Sequence, residues 1–286
     1  MRLAMSGQQF GEEEALENVS RTLKRFSVSW IELWTFNLIG GQEYQCGGAN
    51  LQLTKEVLDE CGIGVACITN GGASYDETRN DPEKYIRAMK HTINAARVLG
   101  AKLVNCYAHN YALLGSDSIK PLVEVMKPIV RYAQSMGITI VLENEADDLS
   151  GTPEGMLKIL AAMDSDAFKT TFDPANYYQA NVEAFPFAYE MLREHIAHVH
   201  VKNGCQFRSE VHQKLAKGGN FAPPNDSKHI YYPPLSDGAV NIEGFLKRLK
   251  EDGYEGFCTL EPHVEGSMIV EYYDSETRYM IDKGIV

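Results

Sequence analysis

Eight strand-like segments alternate with helix-like segments along this chain of 286 residues, and that rhythm restricts the fold more than any other feature. Between the strands, apolar residues recur every three or four positions, which is typical of amphipathic helices. Regular alternation predicts a parallel sheet covered by helices, and eight repeats favour a closed (β/α)8 barrel. The strands are predicted at residues 2–5, 28–34, 64–69, 102–107, 138–143, 168–173, 195–202 and 254–261.

Helix boundary signals agree with the barrel. Asp81 and Thr152 each precede a proline and an acidic residue, the order expected where a helix begins. An open doubly wound sheet is the alternative, but it usually carries a glycine-rich phosphate-binding turn after its first strand. Residues 6–10 read Ser-Gly-Gln-Gln-Phe and lack that pattern. We therefore predict one TIM-barrel domain over residues 1–286. A first helix is predicted to begin within residues 12–14. Others are predicted over residues 51–60, 119–136, 185–193, 242–251 and 268–281, and Pro128 should kink the helix over residues 119–136.

Charge and hydropathy exclude several classes of partner. The chain has 27 Lys and Arg against 39 Asp and Glu, a net charge of −12, and such a surface repels phosphate backbones. No apolar run approaches the roughly 18 residues that cross a bilayer, and the first residues are too polar for a signal peptide. The six cysteines form no CxxC pair, which fits reduced thiols. We expect a cytoplasmic protein with no nucleic-acid or membrane partner; homo-oligomerisation is left open.

Side chains that can bind a metal stand at the carboxyl ends of the last four predicted strands. Glu143 and Asp173 end the fifth and sixth strands, His200 lies near the end of the seventh, and Glu261 ends the eighth. Their neighbours in sequence are the apolar residues that should face the helices, so strand alternation turns the four inward. In a barrel, these strand ends surround one cavity.

A divalent metal ion explains that arrangement. Three carboxylates gathered without a cation would repel one another and raise their own pKa values. Three oxygen ligands with one nitrogen suit Mn²⁺, Mg²⁺, Co²⁺ or Zn²⁺ and do not select among them. The sequence therefore predicts one divalent ion held by Glu143, Asp173, His200 and Glu261.

Residues beside these ligands on the same strands are candidate substrate contacts. His198 and Lys202 flank His200 at a spacing of two, and Glu145 lies two residues beyond the Glu143 ligand. The alternatives are structural. Lys202 could instead form a salt bridge to Glu145 or Glu261, and Glu145 could belong to a solvated loop.

Three further side chains complete the candidate pocket. His263 lies two residues beyond Glu261, and Trp34 and Tyr107 end the second and fourth strands. An aromatic ring there can stack on a sugar face, although packing in the barrel core would use the same residues.

Residues 203–240 break the rhythm by separating the seventh strand from its helix. The segment is rich in Gly, Pro, Asn and aromatic residues, and a loop of this length is usually functional. We predict a lid over the site that carries Arg208, Lys214 and Lys217 and excludes water on closing.

Several of these motifs resemble those of the sugar phosphate isomerase/epimerase superfamily, the xylose isomerase-like TIM barrels. That group includes D-tagatose 3-epimerase, hydroxypyruvate isomerase, inosose dehydratase and endonuclease IV. The resemblance covers the C-terminal half of the chain, whereas the first hundred residues match only in their alternation of strand and helix. The similar segments are residues 142–144 (Leu-Glu-Asn), 172–173 (Phe-Asp), 198–202 (His-Val-His-Val-Lys), 234–238, 253–256 (Gly-Tyr-Glu-Gly) and 260–261 (Leu-Glu).

The resemblance implies the same four metal ligands, and in the epimerase branch it implies that Glu143 and Glu261 also act as the acid/base pair. The chain departs from that branch at two positions. Asn176 stands where the branch tends to have a histidine, three residues after the aspartate, and Asn203 stands where an acidic residue is common. These departures count against a ketose 3-epimerase and make Asn176 a further candidate substrate contact.

We therefore expect a metal-dependent isomerase or epimerase of sugars or sugar phosphates that transfers a proton through a metal-stabilised enediolate. The same intermediate can expel hydroxide, so a dehydratase acting on an inositol-like or keto-sugar substrate is the alternative. A non-catalytic sugar-binding barrel and an endonuclease IV-like DNA repair enzyme are more distant alternatives. The net charge and the neutral end of strand four argue against DNA repair, and His109 is the residue that favours it.

Overall fold

Eight parallel strands close into a barrel in the computed structural model, which describes residues 1–11, 14–41, 47–71, 81–108, 111, 119–206, 230–264 and 266–286. The strands are β1 (Arg2–Ser6), β2 (Trp30–Trp34), β3 (Gly64–Thr69), β4 (Leu103–Cys106), β5 (Thr139–Glu143), β6 (Phe168–Phe172), β7 (Ile196–Val201), β8 (Cys205–Gln206), β9 (Ile230–Tyr231) and β10 (Phe257–Leu260). Around the barrel the order is β1-β10-β7-β6-β5-β4-β3-β2, and β8 and β9 form a separate antiparallel ribbon. The predicted (β/α)8 fold is confirmed.

Helices connect the barrel strands. Asp81 caps the third helix by accepting a hydrogen bond from the Lys84 backbone N–H at 2.9 Å, and Thr152 caps the fifth through the Gly155 N–H at 3.1 Å, as their sequence signals predicted. Among the described residues, no helix is both long and apolar enough to cross a membrane. The helices are α1 (Leu16–Arg25), α2 (Leu51–Cys61), α3 (Pro82–Leu99), α4 (Lys120–Met136), α5 (Pro153–Met163), α6 (Pro174–Gln179), α7 (Tyr189–Leu192), α8 (Ile242–Glu251) and α9 (Ile269–Asp282).

The apolar core lies between the strands and the helices, whereas much of the barrel interior is polar. Outward residues such as Leu142, Phe172 and Leu260 are fully buried against the helices, and each contributes about 1.5–3 kcal/mol. The inner face carries fully buried polar side chains instead of the branched aliphatic residues that usually fill such a barrel. These polar residues are Glu32, Thr69, Asn105, Thr171, His198, His200 and Thr259.

The region after β6 differs from its prediction. A single helix over residues 185–193 is wrong, because Phe185 has an extended backbone (φ −139°, ψ 128°) and regular helix begins only at Tyr189. Pro186 explains this, since a residue before proline avoids helical geometry. The short helix α6 was missed, although Asp173-Pro174 carries the same start signal as Asp81-Pro82.

Smaller differences affect other elements. The last barrel strand begins at Phe257, three residues later than predicted. The Tyr254 hydroxyl donates to the Phe257 carbonyl at 2.9 Å. The first helix begins at Leu16; residues 12 and 13 of its predicted start lie outside the described residues. The fourth helix stays one element through Pro128. Five of the six cysteines are described, and all five are free thiols.

The base of the long segment after β7 is fastened by Asn203. Its carboxamide nitrogen donates to the carbonyls of Leu235 (2.8 Å) and Val240 (3.1 Å), and its oxygen accepts the Val240 and Gly204 N–H groups at 3.0 and 2.8 Å. A side chain at Gly238 would collide with this carboxamide at 2.0 Å. Residues 207–229, with Arg208, Lys214 and Lys217, lie outside the described residues, as does His109, so the lid stays a prediction.

Candidate metal centre and substrate pocket

Four predicted ligands converge at the carboxyl end of the barrel. Glu143 ends β5, Asp173 follows β6, His200 lies on β7 and Glu261 follows β10. One ligand atom from each lies within 4.8 Å of all the others. None of the four residues is more than 2% exposed. The arrangement is compact enough for a single ion.

His200 lies at the centre of this cluster. Its Nδ1 is 3.1 Å from Glu143 Oε1 and 3.4 Å from Glu261 Oε2, while Nε2 points to the opposite side, 3.0 Å from Glu32 Oε1. Burial lowers the pKa of His200, but Glu143, Glu261 and Glu32 outweigh it and raise the pKa well above its usual value. The strand order places β5 and β10 three positions apart, so the two glutamates approach His200 from different sides.

Asp173 is fixed by its role as the cap of α6. Its Oδ1 accepts the backbone N–H groups of Ala175 (2.8 Å) and Asn176 (2.9 Å), which satisfies the start of the helix. The Asn144 side chain holds the Asp173 backbone through a pair of bonds, 2.8 Å to its N–H and 2.9 Å to its carbonyl. Only Oδ2 is left to face the cluster.

Lys202 places an ammonium group among the carboxylates. Its Nζ lies 2.9 Å from Asp173 Oδ2, 3.0 Å from Glu261 Oε2 and 3.3 Å from His263 Nε2. Burial lowers the pKa of Lys202, but Asp173 and Glu261 raise it well above its usual value, so the group is charged. The structure thus shows the salt bridge to Glu261 that was one predicted alternative for Lys202. The other carboxylate that Lys202 contacts is Asp173 and not Glu145.

The donor set fits a divalent ion. Asp173 Oδ2 and His200 Nδ1 are buried atoms that make no hydrogen bond among the described residues. Their charged neighbours are Lys202 Nζ, 2.9 Å from Asp173 Oδ2, and Glu143 Oε1, 3.1 Å from His200 Nδ1. Unpartnered buried polar atoms are costly, and a cation at this point would engage both. Three carboxylates and one imidazole suit Mn²⁺, Mg²⁺, Co²⁺ or Zn²⁺.

Neutral side chains set the direction of Glu143. Asn105 Nδ2 donates to its Oε2 at 3.0 Å, and Asn176 Nδ2 lies 3.2 Å from its Oε1. The Tyr107 hydroxyl also bonds to Glu143. Asn105 is itself fixed by the Thr171 hydroxyl at 2.7 Å. Donors on β4 and α6 thus fix the Glu143 carboxylate, and Thr171 on β6 fixes Asn105 in turn.

Glu145 occupies the mouth of the cluster. It is partly exposed, and its Oε1 lies 3.3 Å from Asn176 Nδ2. Burial of the Glu145 carboxyl, and next the negative charge of Glu143, raise the pKa of Glu145 well above its ordinary value. Glu261 behaves in the opposite way. Burial raises its pKa, but His200 and Lys202 lower it well below the usual value.

Aromatic side chains at or just after the strand ends lie in two pairs. The Trp34 and Tyr107 rings lie 6.4 Å apart, and the Tyr232 and His263 rings lie 4.7 Å apart. Trp34 Nε1 is buried and has no hydrogen-bond partner among the residues that the structure describes. A side chain at Gly71 would lie 2.0 Å from the Trp34 ring, so glycine is required there.

His198 lies one layer deeper than the other candidate residues. It is fully buried, with Nε2 2.6 Å from Glu32 Oε2 and 3.2 Å from the Thr259 hydroxyl. Of the eleven predicted site residues, the structure brings ten to the rim and places His198 beneath His200. The ten are Trp34, Tyr107, Glu143, Glu145, Asp173, Asn176, His200, Lys202, Glu261 and His263.

Comparison with known proteins agrees with this geometry. Residues 21–282 match the family model described as the xylose isomerase-like TIM barrel. The chain belongs to this family. Among curated proteins, the uncharacterized protein MJ1311 of Methanocaldococcus jannaschii is 24% identical over 184 residues, which is 62% of this chain. The aligned part spans 56% of that relative, little more than half its length.

Several solved structures share the whole fold at low identity. The probable 3-DHS dehydratase AsbF of Bacillus anthracis has a TM-score of 0.74 at 16% identity, covering 98% of this chain and 99% of its own. An L-ribulose 3-epimerase has a TM-score of 0.73 at 14% identity, with 99% and 94% covered. A xylose isomerase-like TIM barrel protein of Mycobacterium smegmatis in complex with magnesium has a TM-score of 0.72 at 16% identity, with 99% and 95% covered.

Sequence reasoning missed Glu32, the fully buried carboxylate below the ligands. It lies in the middle of β2, between Ile31 and Leu33, and contacts both His198 and His200. The signal was available, because a glutamate between two apolar residues of a strand that ends in Trp34 shares the inward face of that tryptophan. Its two histidine partners lie more than 160 residues away and only the closed barrel reveals them.

A second cluster of potential ligands, Glu32, Cys67 and His198, lies in the same deep layer. Burial raises the pKa of the Cys67 thiol well above its usual value, and Glu32 raises it further. This cluster offers a single carboxylate, and both of its oxygens already accept hydrogen bonds from Thr69 and His198. The four-residue cluster at the rim is the stronger candidate for a metal.

A cavity of about 850 Å³ lies outside the cluster of candidate ligands. Its walls come from residues 178–186, the β8–β9 ribbon and residues 239–241. None of the four ligands lines it. The candidate active site is therefore identified by the four converging side chains and not by the size of a cavity.

Asp148 near the mouth should make the stability of the protein pH-dependent. Burial raises its pKa from 3.8 to about 7, despite hydrogen bonds from Ser150. The folded chain therefore holds this proton more tightly than the unfolded chain between about pH 4 and 7. The unfolding free energy should fall as pH rises through that window, by at most about 4 kcal/mol from this group.

Replacing Asp148 by asparagine should remove that part of the fall. Urea denaturation at pH 4.5 and 8 measures the difference, and Asp166→Asn at an exposed position before β6 is the matched control. Equal pH dependence in the wild-type protein and Asp148→Asn would show that Asp148 stays ionised in the folded state.

Proposed function

We propose that this protein is a divalent-metal-dependent isomerase or epimerase of sugars or sugar phosphates, with Glu143 and Glu261 as its acid/base pair. The observation that carries the proposal is the buried cluster of three carboxylates around His200 Nδ1, with ligand atoms within 4.8 Å. A substrate with a carbonyl beside a hydroxyl-bearing carbon fits this chemistry. The bound ion supplies positive charge that polarises the carbonyl and acidifies the neighbouring C–H bond.

The two glutamates perform the proton transfer in this proposal. One carboxylate removes the proton from the acidified carbon and the other returns a proton to the neighbouring carbon or to the opposite face. Glu143 and Glu261 reach the same His200 nitrogen from strands three positions apart, so a substrate above His200 presents a different side to each. Asn105 and Lys202 hold the two carboxylates in place.

The rim residues are the proposed substrate contacts. Lys202 and Asn176 offer N–H donors, and Glu145 and His263 can accept from or donate to sugar hydroxyls. Trp34 and Tyr107 supply a wall on which a sugar ring can stack. Trp34 Nε1–H, which has no partner within the described part of the chain, is available as a donor. His198 is left out of this set because its ring is fully buried.

A dehydratase acting on an inositol-like or keto-sugar substrate is the second candidate, and Asn176 favours it. The epimerase branch tends to have a histidine at this position, and here the carboxamide instead bonds to Glu143 and Glu145. In a dehydratase, the Glu145 carboxyl at the mouth could give its proton to the departing hydroxide. Loss of water from the substrate distinguishes this reaction from isomerisation.

Metal removal tests the proposed function. Chelation should abolish activity, and Mn²⁺ or Co²⁺ should restore it, because the carboxylates cannot polarise a carbonyl themselves. The substrate is found by incubating ketoses, keto-acids and their phosphates with the protein in D₂O. Deuterium uptake at the carbon beside the carbonyl reports proton transfer. A metal-free preparation with full activity would contradict the proposal.

A further inference from the structure

We propose that Glu32 is a positioning residue that holds His200 by Nε2 and thereby keeps Nδ1 directed at the metal. This inference rests on the metal site of the proposed function and assigns a role to a residue outside it. Glu32 is fully buried on β2, and β2 and β7 are separated by β1 and β10 in the ring. The contact therefore crosses the barrel interior.

The hydrogen-bond chemistry of a carboxylate sets the tautomer of His200. Glu32 Oε1 lies 3.0 Å and Oε2 3.2 Å from His200 Nε2. An ionised carboxylate only accepts hydrogen bonds, so Nε2 must carry the hydrogen. In neutral His200, the lone pair then resides on Nδ1, the atom that faces Glu143 and Glu261. A partner on the distal nitrogen is the usual way in which a protein orients a metal-binding histidine.

Glu32 is itself held rigidly. The His198 ring donates from Nε2 to Glu32 Oε2 at 2.6 Å, and the Thr69 hydroxyl donates to Oε1. His198 in turn lies 3.2 Å from the Thr259 hydroxyl, and its ring meets that of His200 edge-on at 5.4 Å between centroids. Donors on β3 and β7 thus fix both carboxylate oxygens from below and leave the imidazole of His200 little freedom to turn.

The competing interpretation makes Glu32 a ligand of a second ion, together with Cys67 and His198. Both of its oxygens already accept hydrogen bonds, so a metal there would have to break this network. The two interpretations predict different stoichiometries: one ion per chain for a positioning Glu32, and two ions per chain for a Glu32 ligand.

Replacing Glu32 by glutamine tests the role. Glutamine keeps the size and one oxygen, but its NH₂ group faces imidazole N–H groups and cannot accept from both of them. We expect Mn²⁺ affinity, measured by calorimetry on chelator-treated protein, to fall about 10- to 100-fold in Glu32→Gln. Thr259→Val is the matched control. It removes the side-chain hydrogen bond to His198 from the same buried network but keeps the backbone pairing of Thr259 with His200 and the Glu32–His200 contact, so it should bind Mn²⁺ as the wild-type protein does.

A measurement on the unaltered chain keeps the proposal testable if Glu32→Gln does not fold. In wild-type protein with ¹⁵N-labelled histidine and Zn²⁺, NMR should show the His200 proton on Nε2 and the metal on Nδ1. Metal on Nε2 would overturn the proposal. So would Glu32→Gln affinity equal to that of the wild-type protein, or two ions per chain with one lost in Glu32→Gln. These outcomes differ from failure of the proposed function, in which wild-type protein binds no ion or binds one without proton transfer to any substrate.

Discussion

Glu143→Gln and Glu261→Gln are each expected to lower turnover by at least about a hundredfold, the usual contribution of a positioned acid or base. Glutamine keeps the size of the side chain and one oxygen that can bind the ion, but it cannot accept the proton. Metal affinity should therefore fall less than activity does, and calorimetry with Mn²⁺ on each variant separates the two effects.

Experiments in D₂O assign the role of each carboxylate. If the protein is an epimerase with two independent bases, one of the two variants should still exchange the transferred proton of one epimer without converting it. Glu276→Gln is the control, because Glu276 is a buried glutamate (2% exposed) on α9 and outside the proposed site. Near-normal turnover in both Glu143→Gln and Glu261→Gln would exclude the pair and direct attention to Lys202 or His263.

The convergence of the four ligands could be predicted because it depends on regular features. Side chains alternate along each strand, and parallel strands in a barrel end at the same rim, so Glu143, Asp173 and Glu261 had to meet once eight strands were recognised. The helix starts at Asp81 and Thr152 could also be predicted, because a capping side chain and a proline act on backbone within one turn of themselves.

Contacts across the barrel could not be predicted in the same way. Glu32 pairs with histidines five strands later in sequence, and its partners are set by ring closure and register. The Asp173 partner of Lys202 also depends on the bend that turns Asp173 into the cap of α6. The extended backbone at Phe185 follows from Pro186. That local signal was available, but the helix over residues 185–193 was predicted from the spacing of apolar residues.

Lys202→Met is expected to destabilise the metal-free protein by about 3–5 kcal/mol, the cost of leaving buried carboxylates without their cation. Lys202 is 4% exposed and lies within 3.0 Å of both Asp173 and Glu261. Removing it leaves the two carboxylates near Glu143 with His200 and the partly exposed His263 as the basic side chains beside them. Methionine fills a similar volume, so loss of charge, not loss of packing, dominates the change.

A bound divalent ion should reduce that cost, because it supplies positive charge to the same carboxylates. Urea denaturation with and without saturating Mn²⁺ measures this coupling, and we expect Mn²⁺ to stabilise Lys202→Met more than it stabilises the wild-type protein. Lys283→Met removes an exposed ion pair with Glu243 and should change stability little in either condition. Equal stabilisation by Mn²⁺ in the wild-type protein and Lys202→Met would mean that the ammonium and the ion do not share ligands, and the assignment of Asp173 and Glu261 to the metal would fail.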